Sequence, residues 1–240
     1  MNVIAVVAQK GGTGKSLVSA NMAVAASREG RKTLIADCDP QGSLLDWSRS
    51  RLSPTPPVIG VKARAAHPTR FAAESAGVEL LVIDTRSSSL EDSIDAAKAA
   101  DLTLVVVRPT AVDLRAIAMT VKALKPLGLR AAFVLNQAPV QRATQEPAIV
   151  NEAVELLLEY GLPIVPVGLR QRQIYQSSFA RGLSVQEADP DCRAAAEMSE
   201  LWRYVSGRLH PQASIVPRPD PAPLFTRAMS DPDSKVIVPA

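Results

Sequence analysis

Cysteine is nearly absent from this chain: Cys38 and Cys192 stand far apart among 240 residues, with no C-x-x-C spacing. That excludes a disulfide framework and the usual zinc spacings, and it fits a reducing cytoplasm. Aromatic residues make up only 4%, too few for a platform on which single-stranded nucleic acid would stack. No stretch approaches the roughly 18 uninterrupted apolar residues of a membrane-spanning helix. The N-terminus runs straight into a strand pattern without a charged region and cleavage site, so neither export nor membrane spanning is expected. Excess charge of one sign is also lacking, with a formal net charge of +3. The sequence pI of about 9.0 and the arginines of the second half are compatible with an acidic partner.

What is present is apolar material: 47% of the residues, enough for a sizeable core in one large domain or two small ones, one being the better reading. Runs rich in Val, Ile and Leu recur at residues 2–8, 33–36, 79–83, 102–107, 131–135 and 164–167. Segments of helical periodicity lie between them at 15–29, 90–100, 114–127, 145–160 and 191–209. Three of these stop at a glycine, Gly30, Gly128 or Gly161, as helix C-termini commonly do. Apolar strands alternating with helices predict the α/β class, with a mostly parallel sheet covered by helices on both faces. Residues 53–57 form a proline-rich crossover, and seven of the nineteen prolines fall within 211–240. The expected organisation is therefore one domain over 1–210 followed by a flexible tail.

The chemistry begins after the first run. Lys10-Gly11-Gly12-Thr13-Gly14-Lys15-Ser16 ends like a phosphate-binding loop, although Gln9 stands where such loops place their first glycine. Glycines let backbone N–H groups turn onto phosphate oxygens, and the following helix adds its positive dipole end. The cradle is read as Gly11, Gly12, Thr13, Gly14, Lys15, Ser16 and Leu17. Lys15 would reach the β- and γ-phosphates, with the Ser16 hydroxyl on Mg²⁺. Holding one nucleotide needs only one lysine, so Lys10 calls for its own explanation.

The run K-G-G-T-G-K-S resembles the deviant Walker A P-loop family that includes ParA, MinD and the nitrogenase iron protein. The resemblance implies a sandwich homodimer joined by ATP, in which Lys10 reaches the phosphates held by the other subunit. It continues in "ADCDPQGS", residues 36–43. Two carboxylates at i and i+2 on an extended segment point the same way, so Asp37 and Asp39 could both face the phosphates. By family position Asp39 would orient the attacking water, while Asp37 would lie near Lys15 and the metal shell. The alternative for Asp37 is a turn that caps the next element.

Asp84 closes the run "ELLVID" and would hold Mg²⁺ through water, as a Walker B aspartate does. Here the chain departs from the family, reading Asp84-Thr85-Arg86-Ser87 in place of D-T-P-P or D-T-P-G. The rigid turn of a proline is lost, and Arg86 is open to phosphate, to a partner or to solvent.

Further along, "RPTAVDL" resembles the family segment that faces the other subunit, and Asn136 matches the asparagine that reads the adenine. The block 166–189, beginning at Pro166, resembles the one that closes over the base and leads into the DNA-binding surface. Candidate contacts for non-specific double-stranded DNA are Arg170, Arg172, Arg181, Arg193, Arg203 and Arg208, with Lys122 and Lys125 joining them. Interspersed Glu187, Asp189, Asp191, Glu197 and Glu200 leave a mixed-charge surface as the alternative.

The expectation is a slow, partner-stimulated ATPase in the cytoplasm, associated with the nucleoid. It would partition a plasmid or chromosome through a ParB-like adaptor, or position another cargo such as a chemotaxis cluster or a microcompartment. A MinD-like division regulator would need a basic amphipathic C-terminal helix, which "SDPDSKVIVPA" does not offer. An iron–sulfur reductase fails on the positions of its cysteines, and a metabolic P-loop enzyme leaves Lys10 unexplained.

Overall fold

The structure is a computed structural model that describes residues 1–141 and 145–209. The expected tail at 211–240 lies outside the described residues. Six strands form one parallel sheet: β1 (Asn2–Val7), β2 (Thr33–Asp37), β3 (Val58–Gly60), β4 (Leu80–Asp84), β5 (Leu102–Val107) and β6 (Ala131–Leu135), in the order β3-β2-β4-β1-β5-β6.

Side chains alternate between the two faces of a strand, so a strand apolar at every position is covered twice. One face carries Ile4, Val6, Ile35, Val82 and Leu104 against α1 (Lys15–Arg28), α2 (Ser43–Arg49), α7 (Gln173–Phe179), α8 (Val185–Ala188) and α9 (Arg193–Leu209). The other carries Val3, Ala5, Ile83, Val105 and Phe133 against α3 (Ala66–Ser75), α4 (Leu90–Ala99), α5 (Ala111–Leu124) and α6 (Ala148–Glu159). Helix α1 is buried from Val18 through Ala26, which explains a composition of small and apolar residues.

The register aligns Asp84 with Val6 on one side and with Asp37 on the other. The carboxyl ends of β1, β2 and β4 therefore stand together, and the loops leaving them converge where ligands bind in open parallel sheets.

Some expected boundaries move for local reasons. The run 164–167 makes a single parallel bridge, Phe133 to Ile164, rather than a strand. Pro163 precedes it and Pro166 interrupts it, and neither carries an N–H for a ladder. Helix α5 starts three residues earlier than the periodicity suggested because the Thr110 side chain accepts from the Asp113 N–H, which is an N-cap. It gives way to a 3-10 turn at Lys125–Leu127, where Pro126 sits. Strand β3 and helices α2, α3, α7 and α8 are too short or too polar to have stood out in the sequence.

Candidate nucleotide site

The loop between β1 and α1 is held from outside. Asn136 Nδ2 donates to the Thr13 carbonyl at 2.6 Å, Gln137 Nε2 to the Gly12 carbonyl at 2.8 Å, and Ser88 Oγ to the Gln9 carbonyl at 3.2 Å. A trans peptide points its C=O and N–H in opposite directions. Fixing the Gly12 and Thr13 carbonyls therefore turns the Thr13 and Gly14 N–H groups the other way, which makes a backbone cradle for anionic oxygens. Gly12 and Gly14 have φ of 74° and 88°, a left-handed region that glycine occupies without strain. A Cβ on Gly14 would lie 2.3 Å from Asn136 Nδ2.

The cleft over this loop has a volume of about 540 Å³ and is lined by Gly11, Gly12, Gly14, Lys15, Ser16, Leu17, Asp39, Arg86 and Phe179, among others. Lys15 is buried, and its ammonium donates to Ser87 Oγ at 2.5 Å. Burial lowers its pKa, against the opposing charges of Asp84 and Asp39. Asp84 has no exposed surface. It accepts hydrogen bonds from Ser16 Oγ at 2.7 Å and Ser19 Oγ at 2.9 Å. Burial pushes its pKa up to about 7, against the pull of Ser16, Lys15 and Ser19. Ser16 and Asp84 together offer hard oxygen donors, which suits a magnesium ion that takes its remaining ligands from phosphate and water.

Asp37 and Asp39 part company. Asp39 is half-buried and lines the cleft. Asp37 instead accepts the backbone N–H of Asp39 on one oxygen and those of Leu44 and Leu45 on the other. The expectation that both carboxylates face the phosphates is corrected: Asp37 fastens the turn and the start of α2, and it is not among the cleft residues. Burial raises its pKa, and the three backbone donors oppose that rise. Cys38 between them is buried, which together with nearby carboxylates pushes its thiol up to about 12, far from a reactive thiolate.

Lys10 is exposed and is not among the residues that line its own cleft. Asn136 is buried against the loop. Pro166 is exposed and outside the cleft. From the same block Phe179 enters it, stacked on Trp47 with centroids 6.1 Å apart. Arg108 is paired through two nitrogens with Asp113 at the start of α5, and a Cβ on Gly12 would come within 3.9 Å of its Nη1. That hydrogen bond is the main reason why its pKa is raised.

The expected DNA-binding arginines are not one cluster. Arg170 is 8% exposed and lies bidentate on Glu146. Arg172 pairs with Glu197, which also accepts from the Arg170 N–H and the Tyr175 hydroxyl. Both are corrected to internal ion pairs, because their donors are directed at carboxylates within the fold. Lys122 in the last turn of α5 and Lys125 just after it lie on the opposite face of the sheet from α9, so they cannot join Arg203 and Arg208. Arg181 and Arg203 are exposed, and Arg208 lies over the Tyr204 ring at 4.4 Å. Arg28 from the end of α1 shares a groove with Arg203, an addition that a search confined to the last third of the chain could not reach. Ser19, which also donates to Asp84, lies three residues after Ser16 on the same helix face, a relation that helical spacing alone makes legible.

A parallel sheet whose first loop forms a backbone cradle beside a buried lysine, a helix-start serine and a strand-end aspartate defines a P-loop nucleotide-binding protein. The second lysine narrows the class. The chain belongs to the family described as the CobQ/CobB/MinD/ParA nucleotide binding domain, whose model matches residues 4–196, and its loop is of the ParA/MinD deviant Walker A type.

Two curated relatives are each called "Maintenance of carboxysome distribution protein A". The one from Gloeobacter kilaueensis is 30% identical over 84% of this chain and 95% of its own length. The one from Halothiobacillus neapolitanus is 26% identical over 81% and 91%. Among solved structures, apo McdA of Cyanothece aligns at a TM-score of 0.71 and 14% identity, over 88% of this chain and 100% of that one. MinD of Pyrococcus horikoshii in complex with Mg-ADP aligns at 0.68 and 18%, over 88% and 99%. At such identities the structural likeness concerns the fold alone. Among the described residues no helix is long and apolar enough to cross a membrane.

Proposed function

We propose that this chain is an ATP-driven positioning ATPase that distributes a protein-shelled microcompartment of the carboxysome kind. The observation that carries this reading is the near full-length match to two relatives named for carboxysome distribution. Between the two cargo classes that the sequence left open, it favours an assembly over a plasmid or chromosome.

The site residues supply the parts. The loop backbone and Lys15 hold the nucleotide phosphates, with Asn136 and Phe179 at its base. Ser16 and Asp84 would hold Mg²⁺, which would neutralise phosphate charge when bound. Asp39, carried by a turn that Asp37 fixes in place, orients the attacking water. Lys10 stands clear of its own cleft and completes that of a second copy, so nucleotide joins two subunits. The joined pair holds nucleoid DNA without sequence preference through exposed cations, Arg203 and Arg28 among them, until a cargo adaptor stimulates hydrolysis.

Deletion of the gene in cells with a fluorescent shell protein is expected to collapse evenly spaced compartments into clusters, and Lys15→Ala is expected to do the same. Evenly spaced compartments alongside plasmid loss would overturn the cargo assignment. In vitro, a DNA shift that needs ATP and weakens with salt tests the dimer and its DNA contact.

A further inference from the structure

The loop after β4 brings a second cation to the cleft. Arg86 lies two residues beyond Asp84 and lines the same space as Lys15, Ser16 and Asp39. Its neighbour Ser87 accepts from the Lys15 ammonium at 2.5 Å, which puts this loop at the phosphate end of the cleft. Ser88, with φ of 65°, folds the loop back, and its Oγ donates to the Gln9 carbonyl.

What holds the Arg86 guanidinium is slight. It pairs with Asp92 at 2.5 Å and donates to Ser89 Oγ at 3.4 Å, and its side chain remains 49% exposed. Both anchors belong to the start of α4, where Ser89 caps the helix by accepting from the Asp92 N–H. A helix N-terminus carries partial positive charge and disfavours a cation there. An exposed ion pair is worth little, whereas a guanidinium forms strong, bidentate hydrogen bonds to phosphate.

We propose that Arg86 is a phosphate-contacting cation that leaves Asp92 for the terminal phosphate of a nucleoside triphosphate bound in the same cleft. This rests on the nucleotide reading of that cleft. It gives the chain, from within its own subunit, a sensor that distinguishes triphosphate from diphosphate in the stretch where its relatives by motif place proline. Asp92 is the competing anion that holds the sensor aside.

The test is the affinity of the full chain, with magnesium, for ADP and for a slowly hydrolysed ATP analogue, measured by titration calorimetry. Arg86→Gln is expected to weaken the analogue by about tenfold or more while ADP stays within about twofold, because a charge-assisted contact to the third phosphate alone is lost. Arg86→Lys should recover part of the loss. Asp92→Asn, which frees the guanidinium, should tighten the analogue and leave ADP alone. Equal weakening of both nucleotides by Arg86→Gln, or of neither, overturns the proposal, as does an Asp92→Asn protein that copies Arg86→Gln. If the unaltered chain binds neither nucleotide, the nucleotide reading falls and Arg86 with it. If it binds both and Lys15→Ala loses both, that reading stands whatever Arg86 does.

Discussion

Gly14→Ala tests whether the phosphate cradle is built as described. Two costs follow from the coordinates. A side chain at φ of 88° sits in the left-handed region, a penalty of about 1–2 kcal/mol. The new Cβ would lie 2.3 Å from Asn136 Nδ2, so the amide must leave the Thr13 carbonyl that it meets at 2.6 Å. Losing a buried hydrogen bond of this kind costs about 1–3 kcal/mol. The total is about 2–5 kcal/mol, which for a chain of this size lowers the melting temperature by roughly 5–20 °C. Thermal unfolding reads the loss, and a double-mutant cycle separates its parts. Asn136→Ala alone gives up the hydrogen bond, but in the Gly14→Ala background it also removes the clash. The double variant should therefore be less destabilised than the sum of the singles by about 1 kcal/mol or more. Additivity within about 0.5 kcal/mol, or a Gly14→Ala protein as stable as the parent, would refute the packing of Asn136 on the loop.

Lys10→Ala should leave nucleotide affinity of the monomer near the parent's and abolish the nucleotide-dependent dimer in sedimentation; a dimer of parental strength would remove Lys10 from the interface. Asp84→Asn should melt higher than the parent at pH 8, by an energy of at most about 4 kcal/mol, with the advantage reduced to about 2 kcal/mol at pH 5 and lost only below about pH 4. The sign follows from a carboxyl that titrates at about 7 rather than 3.8: the folded state keeps the proton longer, so stability falls as pH rises between those values. Arg170→Ala breaks a pair 9% exposed on each side and should cost about 3–5 kcal/mol of stability. Arg203→Ala should leave the melt unchanged and reduce the salt slope of DNA binding by about 1; the reverse pattern would restore Arg170 to the DNA surface.

The central strands were legible because a strand buried on both faces must be apolar at every position, and Val3 to Val7, Leu80 to Ile83 and Leu102 to Val107 are all buried. Strand β3 has only three residues at the sheet edge, half-buried or exposed, so burial left no signature on it. The run 164–167 shows the converse: it has the composition of a strand but lacks the N–H groups to extend a ladder past two prolines. Periodicity located the long helices, and local capping moved their ends, as Thr110 does for α5.

The same division holds at the site. Residues that act through a backbone conformation or a fixed offset within one loop, such as Gly12, Gly14, Lys15 and Ser16, can be read from the chain because their neighbours in sequence are their neighbours in space. Asp37 misleads for a related reason: alternation along a strand says which way a side chain leaves the backbone, but not which N–H groups the next turn folds over it. Here the turn to α2 brings three N–H groups to that carboxylate and separates it from Asp39. The arginines fail differently. A count of cations in a segment does not know where the acids of other segments fall, and Glu146, 24 residues before Arg170, is brought onto it by the fold. Cation function is thus decided by partners: Arg170 is held by a buried acid and serves the fold. Arg86, itself half-exposed, is held by an acid at the start of a helix, where the dipole disfavours a cation, and so it remains available to a better anion.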